Sequence, residues 1–208
     1  DSFQINNTQI LEKNYEYFNK EICKFHLQGN KKNFNFHIIV AFYNCEKYIE
    51  KCVESIKTQS FRNFKVTLID DFSQDKTVDK LTKLIEDDKR FTLVKNSKNK
   101  TALPNFVEIL NTRCDNPSET INIILDGDDY LIADDVLDLI FHTYEKTNCL
   151  LTYGSYIRAS DGIYVGQKYT LRSIYNNEFR KLPFLASHLK TFRHDLYLKI
   201  DQNDLKDK

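Results

Sequence analysis

The sequence predicts an α/β protein built on a doubly wound, mostly parallel sheet flanked by helices. Three observations carry that expectation. Short apolar runs of strand length alternate with segments whose apolar residues recur at helical spacing. The runs are continuous rather than alternating, as strands covered on both faces require. Two of them end in carboxylates, at the sheet end where open parallel sheets place their ligands.

Residues 9–28 read as a helix, because Ile10, Leu11, Tyr15, Phe18, Ile22 and Phe25 fall on one face and Gly29 supplies a stop. With the polar stretch that follows, they make an N-terminal helical extension over 1–35. The run 37–42 is the first strand, and Tyr48, Cys52, Val53 and Ile56 mark the buried face of the next helix. The run 64–69 is the second strand and ends at Asp70-Asp71. Ser73 is placed to cap a helix carrying Val78, Leu81, Leu84 and Ile85. Residues 91–94 form a third strand and 105–110 a helix. The run 121–125 is the fourth strand and ends at Asp126; a helix over 134–146 and a fifth strand over 150–156 follow. The core is thus expected over 36–160, with a separate segment over 161–208.

Composition narrows the function classes. The 208 residues suit one large domain, and equal numbers of acidic and basic side chains argue against a protein devoted to gripping nucleic acid. No apolar run reaches the length of a membrane span, and no basic-then-apolar leader stands at the N-terminus. The five cysteines form no CxxC pair and match no zinc spacing, so free thiols in a reducing, cytoplasmic setting are expected. A secretory-pathway setting would fit instead if the chain is part of a larger protein.

Asp126-Gly127-Asp128-Asp129 puts three carboxylates within four residues at a strand end. Hard oxygen ligands suit Mn²⁺ or Mg²⁺, and without a cation such crowding is costly. An acidic helix-capping turn is the plainer alternative. Asp70-Asp71 also follows a strand, where a carboxylate can accept a hydrogen bond from a base N–H or simply cap the next helix. Lys95, Lys98 and Lys100 cluster after the third strand, as phosphate contacts or a solvated loop. His188 can ligate metal or move a proton, and Arg193 can clamp a phosphate; both can equally be structural.

Three ordered motifs then resemble the family 2 glycosyltransferases of GT-A fold, over roughly 37–155. The first is Tyr43-Asn44 followed by Ser55-Ile56 and Gln59-Ser60-Phe61. The second is Asp70-Asp71-Phe72-Ser73-Gln74-Asp75-Lys76-Thr77, where the family usually carries Gly or Asn in place of Phe72. The third is the apolar strand ending in Asp126-Gly127-Asp128-Asp129. The family's Asn-x-Gly loop and later Arg-Asn are here Asn99-Lys100-Thr101 and Pro104-Asn105, so Gly and Arg are missing and Lys100 stands in as the positive charge. Residues 187–193 resemble a His-Leu-x-Thr-Phe-Arg element of one branch, whose acidic acceptor-side segment would lie beyond residue 208. The overall resemblance extends to the glycosyltransferase domain of a viral collagen-modifying, hydroxylysine-glycosylating enzyme.

The resemblance implies a Rossmann-like, mostly parallel GT-A sheet and a UDP-sugar donor. It implies Ala41, Tyr43, Asp70, Asp71, Lys100, Asn105 and Arg193 around the donor, together with Asp126, Gly127 and Asp128. Asp126, Asp128 and Asp129 would hold Mn²⁺ or Mg²⁺. The expected reaction is metal-dependent transfer of the sugar, with inversion, to a hydroxyl of a protein or glycan acceptor. Asp128 is the leading catalytic carboxylate; His188 and Asp195 are further candidates, and Asp161 is another available base. Residues 161–208 would form the acceptor side, with Tyr164, Tyr169 and Tyr175 free to stack on a sugar or pack in a small subdomain. The chain would act as a dimer or within a larger multidomain protein. A sugar nucleotidyltransferase is disfavoured because Phe42-Tyr43-Asn44-Cys45 lacks the glycine-rich loop such enzymes usually show. A non-catalytic or incomplete module is the other alternative.

Overall fold

A computed structural model describes residues 33–176, 178–183, 185 and 187–205. The helix expected over 9–28 lies outside them. Strands β1 (Asn35–Phe42), β2 (Phe64–Asp70), β3 (Phe91–Lys95), β4 (Thr120–Asp126), β5 (Leu151–Gly154) and β8 (Ser187–Arg193) form one sheet in the order β3-β2-β1-β4-β8-β5. A two-stranded ribbon pairs β6 (Tyr156–Ile157) with β7 (Tyr164–Val165). The helices are α1 (Ile49–Lys57), α2 (Thr77–Ile85), α3 (Ala102–Thr112), α4 (Val136–Thr147), α5 (Leu171–Tyr175) and α6 (His194–Tyr197).

The pairs β1–β2, β2–β3 and β1–β4 are parallel, as the continuous apolar runs predict. The chain leaves β1 towards β2 and β3, then returns to place β4 on the other side of β1. That reversal is the switch point where the two half-sheets part at their carboxyl ends.

Both faces of the sheet are covered. Phe36, Ile38, Val40 and Phe42 of β1 point to one face with Val66, Leu68, Ile121, Ile123 and Leu125. They pack under Ile49, Cys52, Val53 and Ile56 of α1, Leu81 of α2, and Leu137 and Tyr144 of α4. The opposite face carries Ile39 and Ile69 against Ile109 and Leu110 of α3 and Tyr197 of α6. Burying one such side chain contributes about 1.5–3 kcal/mol, so these two layers hold the strand ends in place.

Several expectations need correction. Tyr48 is the exposed N-cap residue of α1, and Ile49 takes its place on the buried face with Cys52, Val53 and Ile56. Ser73 does not cap α2; its Oγ accepts from the Asn44 N–H at 3.0 Å, and Asp75 accepts from the Thr77 N–H at 3.0 Å. The fifth strand is not one element. It breaks at Ser155 into β5 and β6, which belong to different sheets, and β8 is inserted antiparallel between β4 and β5. Of the five cysteines, Cys45 and Cys52 are buried and free, and Cys114 and Cys149 are half-buried and free. Among the described residues, no helix is long and apolar enough to cross a membrane.

Candidate functional site

The carboxyl ends of β2, β1 and β4 lie side by side. Phe42 pairs with Asp70, and Ala41 pairs with Asp126. At about 4.8 Å per strand, the two acidic strand ends stand on the order of 10 Å apart. Tyr43, half exposed, leaves β1 between them. Ala41 is buried in the sheet, and its carbonyl accepts from the Gly127 N–H at 3.1 Å. A Cβ on Gly127 would come inside 3.0 Å of Phe42 Cβ, so only glycine lets the acidic turn lie this close to β1.

Asp71 is buried and organises its surroundings. One oxygen accepts from Asn96 Nδ2 and from the Lys100 N–H, both at 2.8 Å; the other accepts from the Thr101 N–H at 2.9 Å. Asn96 Nδ2 also donates to Asn105 Oδ1 at 2.7 Å. Asn105 Nδ2 is buried without a well-formed bond of its own and acts on Asp71 at longer range. Burial alone would raise the Asp71 pKa. The amides of Asn105 and Asn96 and the two backbone N–H groups outweigh it and hold the carboxyl below its ordinary value. Asp70 accepts from the Ser73 N–H at 2.9 Å and is also buried.

The second cluster forms at the end of β4. His188 Nε2 lies 3.1 Å from Asp126 Oδ2 and 3.5 Å from Asp129 Oδ2. One ligand atom from each of the three lies within 4.8 Å of the others, all on half-buried residues open to solvent. The hydrogen bond to Asp126 raises the His188 pKa; burial opposes it and the charge of Asp129 adds to it. Burial raises the Asp129 pKa, His188 lowers it, and Asp128 and Asp126 raise it. Two oxygens and an imidazole nitrogen form a donor set that fits a divalent cation, and the local negative potential favours one. Asp128 is exposed and stands outside this trio, in place of which His188 supplies the third atom.

His188 reaches the site because β8 runs antiparallel to β4. A Cβ on Gly154 would meet the His188 carbonyl oxygen at 2.6 Å and the Leu189 nitrogen at 2.9 Å, so glycine in β5 lets this stretch of β8 pack in. Ser187 Oγ lies 3.3 Å from His188 Nδ1, and the Tyr156 ring meets the imidazole edge-on at 5.6 Å.

The motif residues around these clusters are largely fasteners. Gln59 is fully buried; its Nε2 donates to the carbonyls of Ser55 at 3.0 Å and Ala133 at 2.6 Å, and its Oε1 accepts from the Leu137 N–H at 3.0 Å. Ser55 Oγ accepts from the Leu131 N–H at 3.0 Å. Together they tie the segment after Asp129 to α1. Asn44 and Ser73 join the loops after β1 and β2, with Asn44 Oδ1 accepting from the Gln74 N–H at 2.8 Å.

Other predicted residues fall elsewhere. Arg193 pairs with Ile121 near the start of β4, five residues before Asp126, which places it about 16 Å down the strand. Its guanidinium is ion-paired with Asp195. Both therefore sit at the opposite end of the sheet from the acidic clusters. The Lys100 ammonium pairs with Glu108 at 2.7 Å, and it is the Lys100 backbone that serves Asp71. Asp161 pairs with Arg158 at 2.7 Å. Asn96 and Gly154 are the residues that sequence reasoning passed over. Asn96 follows directly on β3, the same strand-end position that marks Asp71 after β2.

One family model, glycosyl transferase family 2, matches residues 37–200. An uncharacterized glycosyltransferase of Haemophilus influenzae is 28% identical over 144 residues, covering 67% of this chain and 43% of that protein. The Escherichia coli UDP-Glc:alpha-D-GlcNAc-diphosphoundecaprenol beta-1,3-glucosyltransferase WfaP is 30% identical over 129 residues, 62% of this chain and 49% of that protein. The chain thus spans less than half of these curated relatives. Among solved structures, Staphylococcus aureus TarS 1-349 in complex with UDP-GlcNAc superposes with a TM-score of 0.61 at 22% identity, covering 82% of this chain and 48% of that one. The mannosyltransferase PcManGT of Pyrobaculum calidifontis, in complex with GDP-Man and Mn²⁺, gives 0.59 at 19% identity, covering 89% and 52%. These two likenesses are of fold, and they bear out the GT-A expectation. Because the family pattern runs from β1 through β8, across both strand-end clusters and the strand that delivers His188, the chain belongs to the family 2 glycosyltransferases.

Proposed function

We propose that this chain is the donor-binding core of a glycosyltransferase moving a sugar from a UDP-sugar to a hydroxyl of a protein or glycan acceptor, with Asp126, Asp129 and His188 holding a divalent cation. The observation that carries the reading is the convergence of those three side chains at the same end of one sheet as the Asp71 hydrogen-bond cluster. WfaP, whose name specifies a UDP-Glc donor, and TarS, solved with UDP-GlcNAc, support uridine as the base. The imidazole among the ligands favours Mn²⁺ over Mg²⁺. When bound, the cation offsets charge on the departing diphosphate.

The chain's own residues do the positioning. The Asp71 pocket, with Asn96 and Asn105, presents fixed polar groups to the edge of the base, and Tyr43 stands beside it. Asp128, exposed next to the trio, is the carboxylate open to the donor's sugar. Inversion needs a base on the acceptor hydroxyl. Asp161 is tied to Arg158 and Asp195 lies at the far end of the sheet, so neither is assigned that task. The segment after 160 contributes the acceptor side through β7, which pairs with β6, and through α5. There Tyr169 packs against Tyr153 and Phe179, while Tyr164 and Tyr175 stay exposed to meet a sugar.

The test is thermal melting with UDP, GDP, ADP, CMP and dTDP, each with Mn²⁺ or a chelator. Binding to the native state raises the melting temperature by mass action. A rise for UDP that needs Mn²⁺ is expected; no rise with any nucleotide refutes the donor site. Sugar transfer should then be lost in Asp126→Ala.

A further inference from the structure

Phe72 is an outlier on two counts. Its φ of 73° is the left-handed region, which a bulky side chain adopts only under constraint. The residue is 44% exposed and its ring stacks on no other ring among the described residues, so burial does not compensate. Glycine or asparagine would sit there with less strain.

The loop nonetheless holds this conformation tightly. Asn99 Nδ2 donates to the Asp71 carbonyl at 3.1 Å, and Gln74 Nε2 donates to the Phe72 carbonyl at 3.0 Å. Just beyond, Ser73 donates its N–H to Asp70 and accepts from the Asn44 N–H. The backbone that carries an exposed aromatic residue is thereby fixed one residue after the buried Asp71, in the loop joined to the one after β1. An exposed aromatic residue next in sequence to a fixed carboxylate brings together the two chemistries that recognise a nucleobase, stacking on its plane and hydrogen bonding to its edge.

We propose that the Phe72 ring forms a wall of the nucleobase pocket and packs on the base of the nucleoside diphosphate held at Asp71. The proposal rests on the donor-site reading above and adds a determinant of nucleotide affinity where the motif usually has no ring.

The experiment titrates wild type, Phe72→Gly, Phe72→Asn and Phe72→Tyr with UDP and with inorganic pyrophosphate, all with Mn²⁺, by calorimetry, and melts each protein. Gly and Asn both tolerate the left-handed backbone, so both variants should melt within a few degrees of wild type or above it. Both should bind UDP roughly 3- to 10-fold more weakly, the scale of one aromatic stacking contact. Pyrophosphate affinity should not change, and Phe72→Tyr should bind UDP as wild type does. UDP affinity unchanged in the Gly and Asn variants overturns the proposal and leaves the donor site standing. Equal losses for UDP and pyrophosphate overturn it as well, because the ring would then act on the diphosphate or the loop. If wild type binds neither ligand, the donor-site reading falls and this proposal falls with it.

Discussion

Gly154→Ala tests whether His188 is held in place by backbone packing. The added Cβ would meet the His188 carbonyl oxygen at 2.6 Å, the Leu189 nitrogen at 2.9 Å and the His188 carbonyl carbon at 3.2 Å, where ordinary contact starts at 3.4 Å. Relief at the oxygen therefore needs a shift of 3.4 − 2.6 = 0.8 Å. All three atoms are backbone, so no rotamer change can supply it. The two strands must part, and Gly154 pairs with Ser187 right beside His188. Overpacking of this kind costs about 1–3 kcal/mol. At roughly 2–4 °C per kcal/mol for a chain of this size, the melting temperature should fall by about 2–12 °C. Metal ligands tolerate displacements of only about 0.2 Å, so Mn²⁺ affinity measured by calorimetry should fall by about tenfold or more. Hydrogen exchange over β8 should speed up in parallel. A variant that melts within about 1 °C of wild type, exchanges β8 at the same rate and binds Mn²⁺ equally would refute the reasoning.

Three other perturbations address separate links. His37 is buried with its pKa lowered from 6.5 to about 3, first by burial and then by Lys65, His194 and Arg113, with Asp115 opposing. The unfolded chain takes up a proton below 6.5 that the folded chain refuses until about 3, so stability falls as pH falls through that window. The slope from this group is about 1.4 kcal/mol per pH unit, and urea unfolding of His37→Gln between pH 6 and about 4 should show it flattened; an unchanged slope counts against the buried neutral imidazole. Gln59→Leu leaves the Leu137 N–H and Ala133 carbonyl without their partner, at about 1–3 kcal/mol each. Exchange across 131–137 should rise; protection equal to wild type would mean that Gln59 does not tether the segment after Asp129. His188→Ala should weaken Mn²⁺ binding by about tenfold or more with little change in nucleotide binding under chelator, whereas equal Mn²⁺ affinity would remove His188 from the ligand set.

Much of the fold was legible because parallel strands covered on both sides leave unbroken apolar runs. Ile38-Ile39-Val40 and Ile123-Ile124-Leu125 announce β1 and β4 without help from any neighbour. The carboxylates that end such runs are local too, which is why Asp71 and Asp126 could be picked out. Other motif residues were visible, but their work was not. Ser55 stands on the last turn of α1 and Gln59 just past its end, and nothing local says that their partners are Leu131, Ala133 and Leu137.

The parallel half of the sheet and the two acidic strand ends are thus specified locally, because buried strands and the turns that follow them are written in contiguous residues. The entry of Ser187–Arg193 between β4 and β5 is set by long-range pairing instead. That strand is mixed in polarity, so its place comes from pairing with residues more than sixty positions earlier rather than from its own pattern. The same pairing sends Arg193 to the far end of the sheet and brings His188 to Asp126, in spite of their closeness in sequence. An antiparallel strand of seven residues spans roughly 20 Å, and its two ends must therefore serve opposite edges of the molecule.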